Sequence, residues 1–188
     1  LDYATWFAGA VTVPVYETSS AEQVAWVLGD SGARAAVVET RTHLARVSSV
    51  RADLEDLTQV WSLDDHAVHV LRRLGGDVSD DELEERRRAA GPGDLATLIY
   101  TSGTTDRPKG CRLTHGNLDV ELSVAVAELA DLFCAGPDAD AGVSGPDEEG
   151  SGTEEEQAST LLFLPLAHVF ARIIQVGCLR AGVRLAHC

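Results

Sequence analysis

Ten residues in mid-chain, Thr101-Ser102-Gly103-Thr104-Thr105-Asp106-Arg107-Pro108-Lys109-Gly110, carry most of the chemistry legible in this sequence. Glycine lets a backbone approach a ligand closely and take conformations closed to other residues. Successive N–H groups in such a turn form a concavity for anions. The serine and threonine hydroxyls can donate to phosphate oxygens, and an ammonium group adds a mobile positive charge. Lys109 is the single lysine among 15 basic residues; all the others are arginine. The mixture suits a polyphosphate, and the alternative is a solvent-exposed turn.

The elements around this loop alternate between short apolar runs and amphipathic stretches. Residues 10–15, 35–38 and 59–63 read as strands. Ser19 with Glu22 forms a capping box for a helix carrying Val24, Val27 and Leu28 at helical spacing, closed by Gly29 or Gly32. Residues 42–54, 66–74 and 80–90 read as helices, the last with Glu82–Arg86 and Glu84–Arg88 pairs. Its acids (Asp80, Asp81, Glu82, Glu84, Glu85) read as a solvated face balanced by arginines rather than a metal site. Residues 95–100 form an apolar strand running into the loop, and 111–113 return, so the loop is a hairpin tip. A helix follows from about Asn117, with Leu118, Leu122, Val126, Leu129 and Phe133 on one stripe. Residues 160–164 read as a buried strand, and Pro165-Leu166-Ala167-His168 leads into a helix through about Arg180. This rhythm predicts an α/β fold, with layered, largely parallel sheets flanked by helices.

Composition narrows the function classes. The formal net charge is −15. Residues 135–158 hold eight of the 30 acids, with no base and no aromatic residue, and read as a disordered acidic surface loop. The acidic balance argues against nucleic acid as a partner. No apolar run approaches the roughly 18–20 residues that span a bilayer, and no N-terminal signal pattern is present. Cys111, Cys134, Cys178 and Cys188 lack metal-ligand spacing and read as thiols in a reducing compartment, making the cytoplasm the expected location. The absence of methionine and the apolar character of both ends predict an internal segment of a longer chain.

Two familiar phosphate loops do not fit. A Walker A loop needs glycine before its lysine and Ser or Thr after it, whereas Pro108 and Gly110 flank Lys109. Gly103 has no partner at dinucleotide-loop spacing. The segment from Leu98-Ile99-Tyr100 through Leu113-Thr114-His115-Gly116-Asn117-Leu118 instead resembles the phosphate-binding signature of the adenylate-forming (AMP-binding) superfamily. Leu161-Leu162-Phe163-Leu164-Pro165-Leu166-Ala167-His168-Val169-Phe170-Ala171-Arg172 is similar to a second motif of its long-chain fatty-acyl-CoA synthetases. Val13-Pro14-Val15-Tyr16-Glu17-Thr18-Ser19-Ser20 and Asp30-Ser31-Gly32 resemble the N-terminal region of bacterial members. The resemblance covers nearly all of the chain except 135–158, implying that residues 1–188 are part of one AMP-binding domain with that loop inserted.

The resemblance implies a two-step ligase taking a fatty acid, ATP with Mg2+, and coenzyme A. The carboxylate attacks the α-phosphate to give acyl-adenylate and pyrophosphate, and the thiolate of coenzyme A then displaces AMP. Thr101, Ser102, Gly103, Thr104, Thr105, Lys109 and Gly110 would bind the phosphates, and His168 would position substrate. An enzyme loading an acyl carrier protein and a non-catalytic nucleotide-binding remnant are the alternatives. Membrane contact would be peripheral at most, because no helix has a basic amphipathic face. Acyl chain length and oligomeric state are not legible. The family's later motifs, including its C-terminal catalytic lysine, would lie beyond Cys188, so these 188 residues alone are expected to form no thioester.

Asp106 departs from the pattern, standing where the family has glycine. Its carboxylate sits beside a loop built for phosphates, and aspartate tolerates a left-handed backbone less well than glycine. At about 5 Å the repulsion between unit charges is below about 1 kcal/mol in water and several-fold larger at reduced dielectric. Asp106→Gly is therefore expected to bind MgATP more tightly than the parent, as measured by calorimetry; equal affinities would contradict this.

Overall fold

The computed structural model describes residues 1–101, 107–129 and 159–187, and its chain divides into two compact units, Leu1–Gly116 and Asn117–Cys188. The expected acidic loop at 135–158, Phe133, Cys134 and Cys188 lie outside the described residues.

The first unit opens with helix α1 (Asp2–Phe7), which the sequence reading left unassigned. Its Trp6 indole N–H donates to the Ala96 carbonyl at 2.9 Å. Helix α2 (Ala21–Asp30) starts one residue later than expected: Ser20, not Ser19, is the N-cap. Both Ser-x-x-Glu and Ser-x-x-Gln are available. The Ser20 hydroxyl accepts from the Gln23 N–H and the Gln23 side chain accepts from the Ser20 N–H, so the reciprocal box closes with glutamine. Gly32, at φ +63°, ends the turn beyond α2.

Strand β1 (Ala35–Val38), helix α3 (Arg41–Ser49) and strand β2 (Gln59–Ser62) follow, with β1 and β2 parallel. The helix expected over 42–54 stops at Ser49, and a 3₁₀ turn takes Arg51–Asp53. The Ser48 and Ser49 hydroxyls donate to the Leu44 and Arg46 carbonyls, and Val50 leaves helical geometry. Val24, Leu28, Val47, Leu54 and Leu57 form the core under this sheet. Each such aliphatic side chain contributes about 1.5–3 kcal/mol by leaving water.

Helices α4 (Ala67–Leu74) and α5 (Asp80–Ala89) come next. The expected Glu82–Arg86 and Glu84–Arg88 pairs form. Arg87 joins them, and its hydrogen bond and charge, with Arg88 adding, hold the Glu84 carboxyl down to about 2.

Strand β3 (Leu95–Thr101) pairs antiparallel with β4 (Lys109–Thr114). Ala96, Thr97 and Ile99 of β3 are buried. The strand expected over 10–15 is reduced to one bridge, at Thr12 opposite Thr97. Thr12 donates to the Ala96 carbonyl and accepts from Leu98, and Pro14 has no N–H with which to continue a ladder.

Helix α6 (His115–Glu128) begins two residues before the expected start. Gly116 packs on Pro92: its N–H donates to the Pro92 carbonyl at 2.8 Å, and a Cβ on it would meet that oxygen at 2.9 Å. His115 lies edge-on to Trp6, with ring centroids 6.0 Å apart.

In the second unit, strand β5 (Ser159–Leu162), helix α7 (Val169–Ala181) and strand β6 (Arg184–His187) make a parallel pair joined by a helix. β6 was not assigned from the sequence. β5 is shorter than the buried strand expected over 160–164, and it is only half-buried: Leu162 faces the core while Leu161 and Phe163 are exposed. The alternation follows from the two-residue period of a strand with one covered face. Leu162, Ala171, Ile174 and Cys178 form this unit's core, with Val126 of α6 and Leu129 just beyond it packed against that core. Among the described residues, two of the three two-stranded sheets are thus parallel, and helices flank them, in agreement with the expected α/β class.

Gly116→Ala is expected to destabilise the protein by about 1–3 kcal/mol, because the Pro92 backbone must move. Gly93→Ala, where a Cβ would meet nothing within 4 Å, serves as its control. Urea unfolding of both variants checks the difference.

Candidate functional site

The hairpin register sets the site. Thr101 ends β3, Lys109 opens β4, and the two are directly paired across the strands. Both side chains are exposed. A hydroxyl and an ammonium group therefore stand opposite each other where the hydroxyl-rich segment leaves and re-enters the sheet. Ser102, Gly103, Thr104, Thr105 and Asp106 lie outside the described residues. Of the seven expected phosphate-binding residues, the structure brings Thr101, Lys109 and Gly110 together.

Gly110 pairs with Tyr100, and its missing side chain has a local purpose. A Cβ there would come within 3.1 Å of the Tyr100 ring carbon Cζ and 3.3 Å of its hydroxyl. Glycine lets the ring lie across the neighbouring strand. From there the Tyr100 hydroxyl donates to Asp30 Oδ2 at 2.6 Å. Partial burial, then the hydrogen bond and charge of Asp30, raise the Tyr100 pKa, so the phenol keeps its proton. The descending arm is held as well. The Trp26 indole N–H donates to the Pro108 carbonyl at 2.9 Å, and the Arg107 guanidinium lies 4.6 Å from the centre of the Trp26 ring. A cation over an indole face is attracted by the ring quadrupole.

Sequence reasoning missed this connection. Trp26 and Asp30 are one turn apart on α2, more than 70 residues before the loop. Their spacing places them on one helix face. No local pattern in the sequence announces what that face meets.

Cations dominate the described part of the hairpin: Arg107, Lys109 and Arg112 all belong to its descending arm. Among the described residues, no group of three or more His, Cys, Asp or Glu is gathered for a metal ion. A magnesium ion carried on a triphosphate needs few protein ligands, since it keeps waters and phosphate oxygens around it. Hydroxyls and a lysine fit that arrangement.

His168 belongs to the second unit and caps α7. Its Nδ1 accepts from the Phe170 N–H at 3.2 Å. That bond uses the Nδ1 lone pair and leaves Nε2–H as a donor. The side chain is exposed.

Comparison with known proteins adds a family to this geometry. The sequence profile described as AMP-binding enzyme matches residues 1–187. The long-chain-fatty-acid–CoA ligase FadD15 of Mycobacterium bovis is 41% identical over 186 residues. That alignment takes in 97% of this chain and 28% of the relative. The long-chain-fatty-acid–CoA ligase ACSBG2 of Xenopus laevis is 29% identical, over 93% of this chain and 22% of its own length. Among solved structures, ATP-bound MatB from Rhodopseudomonas palustris superposes with a TM-score of 0.64. It is 18% identical, and the match covers 100% of this chain and 32% of that one, a likeness of fold.

Proposed function

The chain belongs to the family of AMP-binding enzymes, and on that premise we propose that its protein is an AMP-forming long-chain fatty-acid–CoA ligase. The observation that carries this reading is the 41% identity to FadD15 across 97% of the chain, with the phosphate-loop segment inside the matched region. The chain spans about 28% of the length of that relative, so activity, substrates and partners are proposed for the whole protein.

In this reading a fatty-acid carboxylate oxygen attacks the α-phosphorus of ATP. The bond to the β-phosphate oxygen breaks, and acyl-adenylate and pyrophosphate form. The thiolate of coenzyme A then attacks the acyl carbon, and AMP leaves. Negative charge grows on the pyrophosphate in the first step, and preorganised donors aimed at that charge lower the barrier. Lys109 supplies a full positive charge. Thr101, Ser102, Thr104 and Thr105 supply hydroxyl donors, while Gly103 and Gly110 let backbone and neighbouring ring approach. Magnesium supplies charge neutralisation on the phosphates when bound. His168, with Nε2–H available, positions substrate. Both units belong to one adenylating domain.

The cytoplasm is the proposed location. No helix among the described residues is long and apolar enough to cross a membrane.

The test is pyrophosphate–ATP exchange by the protein expressed from its own reading frame, with coenzyme A omitted. Labelled pyrophosphate is expected to enter ATP only when a long-chain fatty acid is present. Lys109→Ala is expected to slow exchange by about 10²–10³-fold, the usual cost of removing one donor to developing charge. Exchange independent of fatty acid, or none at all, contradicts the reading. Exchange followed by acyl transfer to a carrier protein and not to coenzyme A would move the assignment to the carrier-loading alternative.

A further inference from the structure

Helix α2 touches both arms of the candidate phosphate hairpin, one step before each arm reaches its functional side chain. Asp30 accepts from the Tyr100 hydroxyl at 2.6 Å, and Tyr100 immediately precedes Thr101. Trp26 donates to the Pro108 carbonyl at 2.9 Å, and Pro108 immediately precedes Lys109. The same indole carries Arg107 on its face at 4.6 Å. Thr101 and Lys109 are themselves paired across the strands. Three contacts thus tie the two strand ends to one face of one helix, where Trp26 and Asp30 stand a turn apart.

A lysine ammonium on a flexible four-carbon stem loses side-chain freedom when it binds phosphate. An unanchored hairpin end would add backbone freedom to that loss. Preorganisation removes the backbone part, and the gain appears as affinity for the group the lysine meets. We propose that Trp26 and the Tyr100–Asp30 pair are positioning residues that hold Lys109 and Thr101 toward the outer phosphates of the nucleotide. The assignment rests on the ligase reading above. It adds that α2, which supplies none of the expected phosphate-binding residues, sets the discrimination between tri- and monophosphate.

Trp26→Phe tests this, because phenylalanine keeps an aromatic face for Arg107 while the indole N–H is lost with the second ring. Tyr100→Phe likewise removes only the hydroxyl bonded to Asp30. Binding of MgATP and of AMP to the natural full-length protein is measured by calorimetry for each variant, for Lys109→Ala, and for Trp26→Phe combined with Lys109→Ala. Each Phe variant is expected to weaken MgATP about three- to tenfold, the range of one lost hydrogen bond, and to leave AMP within about twofold. In the Lys109→Ala background, Trp26→Phe is expected to add less than about twofold, because the two residues act as a unit.

Equal weakening of MgATP and AMP, or additive effects of Trp26→Phe and Lys109→Ala, would reduce Trp26 to a structural residue and overturn the proposal. So would MgATP affinity unchanged in both Phe variants. If Lys109→Ala itself leaves MgATP affinity unchanged, the phosphate-loop reading fails first and this proposal falls with it. That failure is distinct from one in which Lys109 matters and Trp26 does not.

Discussion

The antiparallel pairing of β3 with β4 is the constraint on which the rest of the first unit depends. It is a short ladder, but its register decides everything around it. Because Thr101 faces Lys109, hydroxyl and ammonium group share one end of the hairpin. Because Tyr100 faces Gly110, an aromatic ring can cross the neighbouring strand and reach Asp30. A slip by one residue would turn each of these side chains to the other face of the pleat. The buried side of β3 prevents the slip: Ala96, Thr97 and Ile99 are covered, and Thr97 spends its hydroxyl on the Thr12 carbonyl at 2.8 Å. Burial on one face thus fixes which side chains meet at the strand ends.

The residues just after the hairpin serve the same end from the other side. His115 and Gly116 sit where β4 becomes α6, against Trp6 and Pro92. Trp6 in turn donates to Ala96 in β3. An aromatic residue near the start of the chain, the strand entering the loop and the helix leaving it are joined through a few contacts. The second unit is organised differently, around a strand–helix–strand crossover whose N-cap is His168. There one side chain both starts a helix and retains a donor for other use.

Much of this was legible locally. Strand β1 was readable to the residue, since four apolar residues lay between turn signals. The 3.6-residue spacing of Val24, Val27 and Leu28 identified the covered face of α2, and all three are buried. The loop's composition, hydroxyls and glycine with a solitary lysine, suited a polyphosphate and left a solvent-exposed turn as the alternative. Boundaries were less legible where two local solutions compete. Ser19–Glu22 and Ser20–Gln23 are both valid boxes. Ser48 and Ser49 could extend a helix or, as they do, bond back to it. Helix α1 escaped because six residues carry too little periodicity to be seen. The anchoring of the hairpin by Trp26 and Asp30 was out of reach for a different reason. It consists of tertiary contacts across 70 and 82 residues, and neither partner has an unusual neighbourhood in sequence. The expected roles of Thr101 and Lys109 came from the motif, whereas what holds them came only from the fold.

The central claim is that this hairpin is the phosphate cradle of an adenylating enzyme. Hydrogen–deuterium exchange of the natural protein, with and without MgATP, tests it most directly. The account predicts that MgATP slows exchange in peptides spanning residues 101–110 and in the α2 peptides around Trp26 and Asp30. Unchanged exchange across 101–110, with protection appearing elsewhere in the chain, would contradict it.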